Sequence, residues 1–323
     1  MLALANPITG PLLLQPSLTT SGKDTYSVHT TISTVLVVLT ASALIVLTGC
    51  AGKPATSEAR LNPLQAYHEG QLNVARKFGD SARSEEGQVL ALRLEAAALD
   101  SLGRSEQALS VIDQASALSP EDWPTIRARA GILYSLGRTD ETLRLLAPAM
   151  AAVLSPQAIE SKPAGMEPAY DIVPAVFALI EKGAWAQAVE ILEHAVPDDD
   201  DPGYAAYRTL LYCYIKARAG SDLPPNEMFE RQIKAYSGDA SSHYAVLVNL
   251  WSGQKFPDEL TVRPEGWRDP AIRQDALAEF LFYGAAYAKY VAKDLRPRQL
   301  FLPRLNRLKP YGNIEWIHAK RTF

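Results

Sequence analysis

Residues 89–120 read VLALRLEAAALDSLGRSEQALSVIDQASALSP, and residues 123–150 read WPTIRARAGILYSLGRTDETLRLLAPAM. The tetrapeptide SLGR stands at 101–104 and again at 135–138, so the interval from Gly103 to Gly137 is 137 − 103 = 34. On both sides of each glycine the apolar residues recur at three- and four-residue intervals, the spacing of an amphipathic helix. Each stretch therefore predicts a helix, a tight turn and a second helix. Ala96 and Ala130 share one slot and Ala108 and Thr142 another. Small side chains at those slots let paired helices approach closely. A glycine at the end of the first helix supplies a left-handed residue where the chain must turn. Pro120 stops the second helix and starts the next unit.

A helix-turn-helix unit repeating at that interval has the period of the tetratricopeptide repeat (TPR). Ala96, Leu99, Gly103, Ala108, Ile112, Ala115 and Pro120 resemble its pattern, and Ala130, Leu133, Gly137, Thr142, Leu146 and Ala149 fill the same slots one unit on. Gly183, Ala188, Leu192 and Ala195 place a third unit at about 169–202, after a loop insertion, SPQAIESKPAGMEP, at 155–168. Strand signals are almost absent. The expected fold class is all-α, a TPR-type helical repeat array (an α-solenoid), with repeats at about 89–122, 123–156 and 169–202 inside 64–200. A C-terminal helical region follows at 203–323, with helices near 203–219, 225–236 and 240–252 and a degenerate pair near 272–309 that breaks pattern at Pro297 and Pro303. The final YGNIEWIHAKRTF reads as a closing helix over the last hydrophobic face, which solenoids need. Cys213 lies on an apolar helix face and reads as a buried free thiol.

The first 50 residues have a different character. Residues 32–47, ISTVLVVLTASALIVL, carry no charge. The run is short for a membrane span, which takes about 20 apolar residues, and it fits a secretory apolar region better. Leu47, Thr48, Gly49 and Cys50 follow, and they resemble the bacterial lipobox: one aliphatic residue, two small ones, then cysteine. The resemblance implies a signal peptide over 1–49, cleavage before Cys50, and lipidation of that residue. The leader before the apolar run is long and has Lys23 as its one strong positive charge; an over-extended gene start is one explanation. Ala51 stands where an inner-membrane retention signal would place Asp, which by resemblance implies the outer membrane, lipid-anchored and facing the periplasm. Residues 50–63, with CAGKPATSEARLNP, read as the lipidated cysteine and a tether.

The charge balance, 32 Lys and Arg against 36 Asp and Glu, argues against nucleic acid. No HExxH, GxSxG, GxxxxGK[ST] or CxxC occurs, so no catalytic residue, metal ligand or cofactor is assigned and the chain is not read as an enzyme. The five histidines, His29, His68, His194, His243 and His318, are scattered and read as surface or capping residues. Asp198 to Asp201 lack the alternation and distal Glu of a calcium loop and read as a solvated loop. Binding remains. In a TPR array the first helices of successive units line a concave groove, and the residues expected on it are Arg93, Asp100, Arg127, Tyr134, Tyr170 and Phe177. Arg pairs bidentately with carboxylates, and aromatics anchor peptides. Ala97 and Gly131 replace the polar clamp that chaperone-tail TPR domains use, which argues against recognition of a Glu-Glu-Val-Asp tail.

The order of lipobox, tether, LDSLGR-type pair, YRTLLYCYIKA helix and distant C-terminal pair resembles the NlpI-type periplasmic TPR lipoproteins. The likeness covers about 85–150 and 205–323, and the length of chain beyond residue 49, 323 − 49 = 274, is comparable. It implies a homodimeric adaptor that binds peptidoglycan hydrolases and a processing protease, with tethering raising their local concentration. An accessory lipoprotein of an outer-membrane assembly, pilus or secretion machine is the alternative.

Overall fold

A computed structural model describes residues 63–155, 162–197, 201–239, 242–253 and 269–323. The signal segment with His29, the lipobox residues Leu47, Thr48, Gly49 and Cys50, the tether up to 62, and Asp198, Asp199 and Asp200 lie outside the described residues. Among the described residues the regular elements are helices and none is a strand. Helix α1 (Pro63–Ser81) precedes three helix pairs: α2 (Glu85–Ser101) with α3 (Ser105–Leu118), α4 (Trp123–Ser135) with α5 (Thr139–Leu154), and α6 (Pro168–Asp171) and α7 (Val173–Glu181) with α8 (Trp185–His194). Then come α9 (Pro202–Ala219), α10 (Glu227–Ala235), α11 (His243–Trp251), the hairpin α12 (Pro270–Tyr290) and α13 (Leu295–Leu308), and α14 (Ile314–Thr322).

The starts of these helices are written locally. Ser84 caps α2 through its side chain to the Gly87 N–H, with Glu85 and Glu86 in the first turn, where the helix dipole favours negative charge. Asp122, Asp201, Asn226, Ser242 and Asn313 cap α4, α9, α10, α11 and α14 in the same way. The stops repeat. Gly103, Gly137 and Gly183 have φ of 74°, 77° and 70°. After each glycine the next N–H bonds back five positions: Arg104 to Leu99 O, Arg138 to Leu133 O and Ala184 to Leu179 O, all at 2.9 Å. This six-to-one closure satisfies carbonyls that the helix end leaves open. The third closure stands farther along the chain from the second than the second does from the first, so the segment between α5 and α6 is an insertion into the period.

Packing follows from the small slots. Ala96, Ala108, Ala130, Thr142 and Ala188 are fully buried. Thr142, where the preceding unit has alanine, donates its hydroxyl to the Ala130 carbonyl at 3.3 Å, so the larger side chain brings its own partner. One apolar cluster gathers Leu72, Val89, Leu99, Ile112 and Leu133 among α1 to α4. A larger one runs from α4 to α14. Its axis is α9, buried without a break from 206 to 215. A helix buried on every side must be surrounded, and α9 packs against α8, α10, α11 and α12, with its buried Arg208 and Thr209 bonded to the Leu192 carbonyl and Gln232. Cys213 is buried and free there, its thiol pushed up to about 12 by burial.

Helix α13 runs from Leu295 to Leu308 through both prolines that the sequence marked as breaks. Pro297 sits in the first turn, where its missing N–H has no intrahelical partner to lose. Pro303 is exposed inside the helix.

Candidate functional site

The six residues expected on an open groove all face internal partners. Arg93 is buried and bonds Asp122 at 3.0 Å; Asp122 also caps α4 at the Thr125 N–H. Asp100 is buried against the Ser105 and Ser135 hydroxyls at 2.6 and 3.0 Å, and burial pushes its carboxyl up to about 6. Arg127 reaches the fully buried Asp171 at 2.9 Å, and Asp171 also takes the Trp123 indole N–H at 2.5 Å and the Glu167 N–H at 2.9 Å. Tyr170 donates to Asp201 at 3.2 Å and packs on Tyr204, ring centres 4.6 Å apart. Tyr134 is 1% exposed and Phe177 0%.

What covers Tyr134 and Phe177 is the chain's own C-terminus. Residues 311–323 cross the ends of the three first helices in order. Tyr311 lies on the Gly103 turn: a Cβ at 103 would come within 2.7 Å of its ring. Further on, Arg321 stacks over the Tyr134 ring at 4.7 Å. It bonds the Tyr134 carbonyl, the Ser135 carbonyl at 3.2 Å and Glu181 at 2.9 Å. His318 is fully buried, its ring 5.0 Å from that of Phe177. Helix α14 packs its apolar side against α12, and its polar side chains also find partners at the ends of α4 and α7, the first helices of the second and third pairs.

Those partners form a continuous network. Tyr134 donates to Glu181 at 2.8 Å, and its oxygen lies 3.0 Å from His318 Nδ1. His318 Nε2 meets the Tyr214 hydroxyl at 2.9 Å, Arg218 at 3.1 Å and Thr322 at 3.2 Å. Arg218 has donors only, so the Nε2 lone pair faces it and the ring proton sits on Nδ1, toward Tyr134 and Glu181. Burial lowers the imidazole below its usual range and keeps it neutral. Burial raises the Glu181 carboxyl, but bonds from His318, Arg321 and Tyr134 outweigh that and hold it at about 2. On the same helix, Glu315 is fully buried; it accepts from Tyr207 at 2.9 Å and Tyr283 at 3.4 Å. Burial, then the nearby Glu279, push Glu315 up to about 8, so it is a neutral acid at pH 7. Beyond it, Glu279 takes Tyr244 at 3.1 Å and His243 at 2.7 Å, and burial lowers His243 to about 4.

Three of the histidines depart from a surface role. His194 is exposed and bonds the Glu190 carbonyl, but His68 and His318 are buried and His243 nearly so. No group of three or more His, Cys, Asp or Glu among the described residues is arranged to hold a metal. Chemically, the network orders α14 by hydrogen bonds among neutral side chains, a charged pair, Glu181 with Arg321, and the Arg218 guanidinium on His318. The sequence reading missed Glu181, Tyr214, Glu315 and Arg321 and read His318 as a surface or capping residue; the one available signal was polar Glu315 and His318, three residues apart, among the apolar residues of IEWIHA. No protein-family model matches the chain, and no curated protein matches it.

Proposed function

We propose that this chain is a TPR-type scaffold, lipid-anchored at Cys50 to the outer membrane and facing the periplasm, that docks other envelope proteins. The supporting observation is the threefold recurrence of one unit: left-handed Gly103, Gly137 and Gly183, each with the same backbone closure. Such arrays hold a series of equivalent surfaces in fixed register. Here the candidate surface is the far end of the second helices, where exposed apolar residues stand near each helix end without sharing one repeat slot. Leu118, Leu154 and Val196 are 39%, 40% and 60% exposed, one at or just beyond the end of α3, α5 and α8. They replace Arg127 and its five companions as the partner-facing residues, since internal bonds occupy five of the latter and burial covers Phe177. Peptidoglycan hydrolases and a processing protease are the partners that the resemblance implies.

The test is affinity capture from solubilised membranes with the wild-type chain and with Leu118→Glu/Leu154→Glu/Val196→Glu. Wall hydrolases and a protease retained by the first and lost by the second support the scaffold. Capture of pore or pilus assembly subunits instead supports the accessory-lipoprotein reading. An unmodified sulfur at Cys50 by mass spectrometry of the native product removes the anchor.

A further inference from the structure

Residues 289–309 hold seven basic residues, Lys289, Lys293, Arg296, Arg298, Arg304, Arg307 and Lys309, and one acidic residue, Asp294, in a chain whose net charge is −4. Most of this segment is α13, which packs against α12 through buried Leu305 and through Phe301, whose ring lies 6.0 Å from that of Phe280. The opposite side is exposed. At about 3.6 residues per turn, Arg296, Leu300, Arg304 and Arg307 fall within an arc of about 80°. All four are exposed, and Leu300, at 66%, is the most exposed of the large hydrophobic side chains among the described residues. Arg296 pairs with its neighbour Asp294, at 2.7 Å; Arg304, Arg307 and Lys309 form no ion pair with a described residue.

An exposed leucine ringed by arginines is poorly suited to water and well suited to a lipid–water interface. There the apolar residue sinks below the headgroups, and the arginine stems follow it while their guanidinium groups stay at phosphate level. We infer that the outer face of α13 is a docking surface for the anionic headgroups of a membrane. The inference rests on the membrane attachment proposed above. Residues 51–62 separate Cys50 from α1, and a stretch of about 12 residues reaches at most about 43 Å in any conformation. A membrane held that close is the negatively charged surface the helix meets first. The contact would fix the orientation of the array, so that the anchor gives proximity and α13 gives direction.

The test places an environment-sensitive fluorophore on Leu300→Cys in a full-length Cys50→Ser chain. Buried Cys213, with its raised thiol, resists labelling. The apolar run still carries this chain to vesicles, so the outcome does not depend on the thioether, which mass spectrometry of the wild-type product reads separately. With phosphatidylglycerol vesicles in about 50 mM salt, emission should shift to the blue and rise several-fold. Phosphatidylcholine vesicles, or about 0.5 M salt, should leave it unchanged. Arg304→Glu/Arg307→Glu, at two exposed positions and checked for retained helicity, should weaken the response by more than ~10-fold. Equal emission on the two vesicle types, or a response that survives both charge reversals, overturns the inference. So does a shift without vesicles that grows with protein concentration, which would make the occupant a second copy of this chain.

Discussion

The first two helix pairs meet mainly through small and branched side chains, Ala96 and Ala130 on the first helices, Ala108, Ile112, Thr142 and Leu146 on the second, all fully buried, with Asp100 and Ser135 as a polar exception. The contacts among α7, α9, α12 and α14 are made instead by Tyr207, Tyr214, Tyr283, Glu315 and His318, equally buried. The difference is one of information. A small-residue interface asks only for size, so one solution serves every unit and recurs. A tyrosine or carboxylate interface needs a donor opposite each acceptor, since a buried polar atom without a partner costs about 1–3 kcal/mol. Such an interface fits in one place only. Repetition thus builds the array, and unique polar pairing decides where the C-terminus closes on it.

Phe177→Ala is the strongest way to break that division. Phe177 is fully buried beside Tyr134 and His318, at the seam between the two regions. Its removal should cost about 3–5 kcal/mol. Hydrogen exchange should then accelerate in α4, α7, α9 and α14 together. Ile112→Ala, in the smaller cluster, should cost about 2–4 kcal/mol and speed exchange in α1 to α4 alone. Faster exchange in α14 of the Ile112→Ala chain would show one cooperative unit and end the distinction.

A finer test uses two glycines in the same slot. Gly103 and Gly137 have φ of 74° and 77°. An alanine at either costs about 1 kcal/mol of backbone strain. Their surroundings differ. At 103 the new methyl meets the Tyr311 ring at 2.7 Å; at 137 it meets the tip of Arg321 at 3.5 Å. Gly103→Ala should therefore cost about 2 kcal/mol against about 1 kcal/mol for Gly137→Ala, by chemical denaturation. Adding Tyr311→Ala should relieve the excess at 103 and leave the cost at 137 as it was. Equal costs at the two sites would mean that Tyr311 does not press on the repeat turn.

These contrasts also mark what could be read from the chain. The helices and their stops are local: a serine or aspartate cap, a left-handed glycine, a small-residue slot once in every unit. SLGR and its repetition state them directly. The six groove residues were chosen by the same register logic, which places a side chain on a face but says nothing about what covers that face. Tyr134 bonds His318 and Arg321 across more than half of the chain. Nothing local in YGNIEWIHAKRTF specifies such pairing. Pro297 and Pro303 suggested a break in α13 because proline rules weigh the helix interior. The first-turn and outward positions where these two prolines sit follow from packing.

The smallest effect separates the two regions by pH. Each has a buried acid: Asp100 among the repeats, at about 6, and Glu315 in the C-terminal network, at about 8. Both are raised above their unfolded values, so each stabilises the fold while protonated and loses that contribution as pH climbs through its folded value. Asp100 has nearly finished by pH 7. His68, His243 and His318 are lowered by burial; they act in the opposite sense, raising stability with pH, and together still add about 0.5 kcal/mol above pH 7 as the unfolded imidazoles, near 6.5, finish titrating. Between pH 7 and 8.5 Glu315 is left as the titrating acid, facing Tyr207 and Tyr283 with Glu279 beyond. Unfolding free energy should fall there by about 1 kcal/mol. Glu315→Gln keeps the acceptor oxygen toward Tyr207 and removes the proton equilibrium, so its stability should no longer fall across that range but rise by about 0.5 kcal/mol from the histidines; Asp100→Asn should leave the fall intact. A wild-type profile that is flat from 7 to 8.5 would mean that Glu315 is ionised in the fold, and that a charge, rather than a neutral acid, holds α14 against α9 and α12.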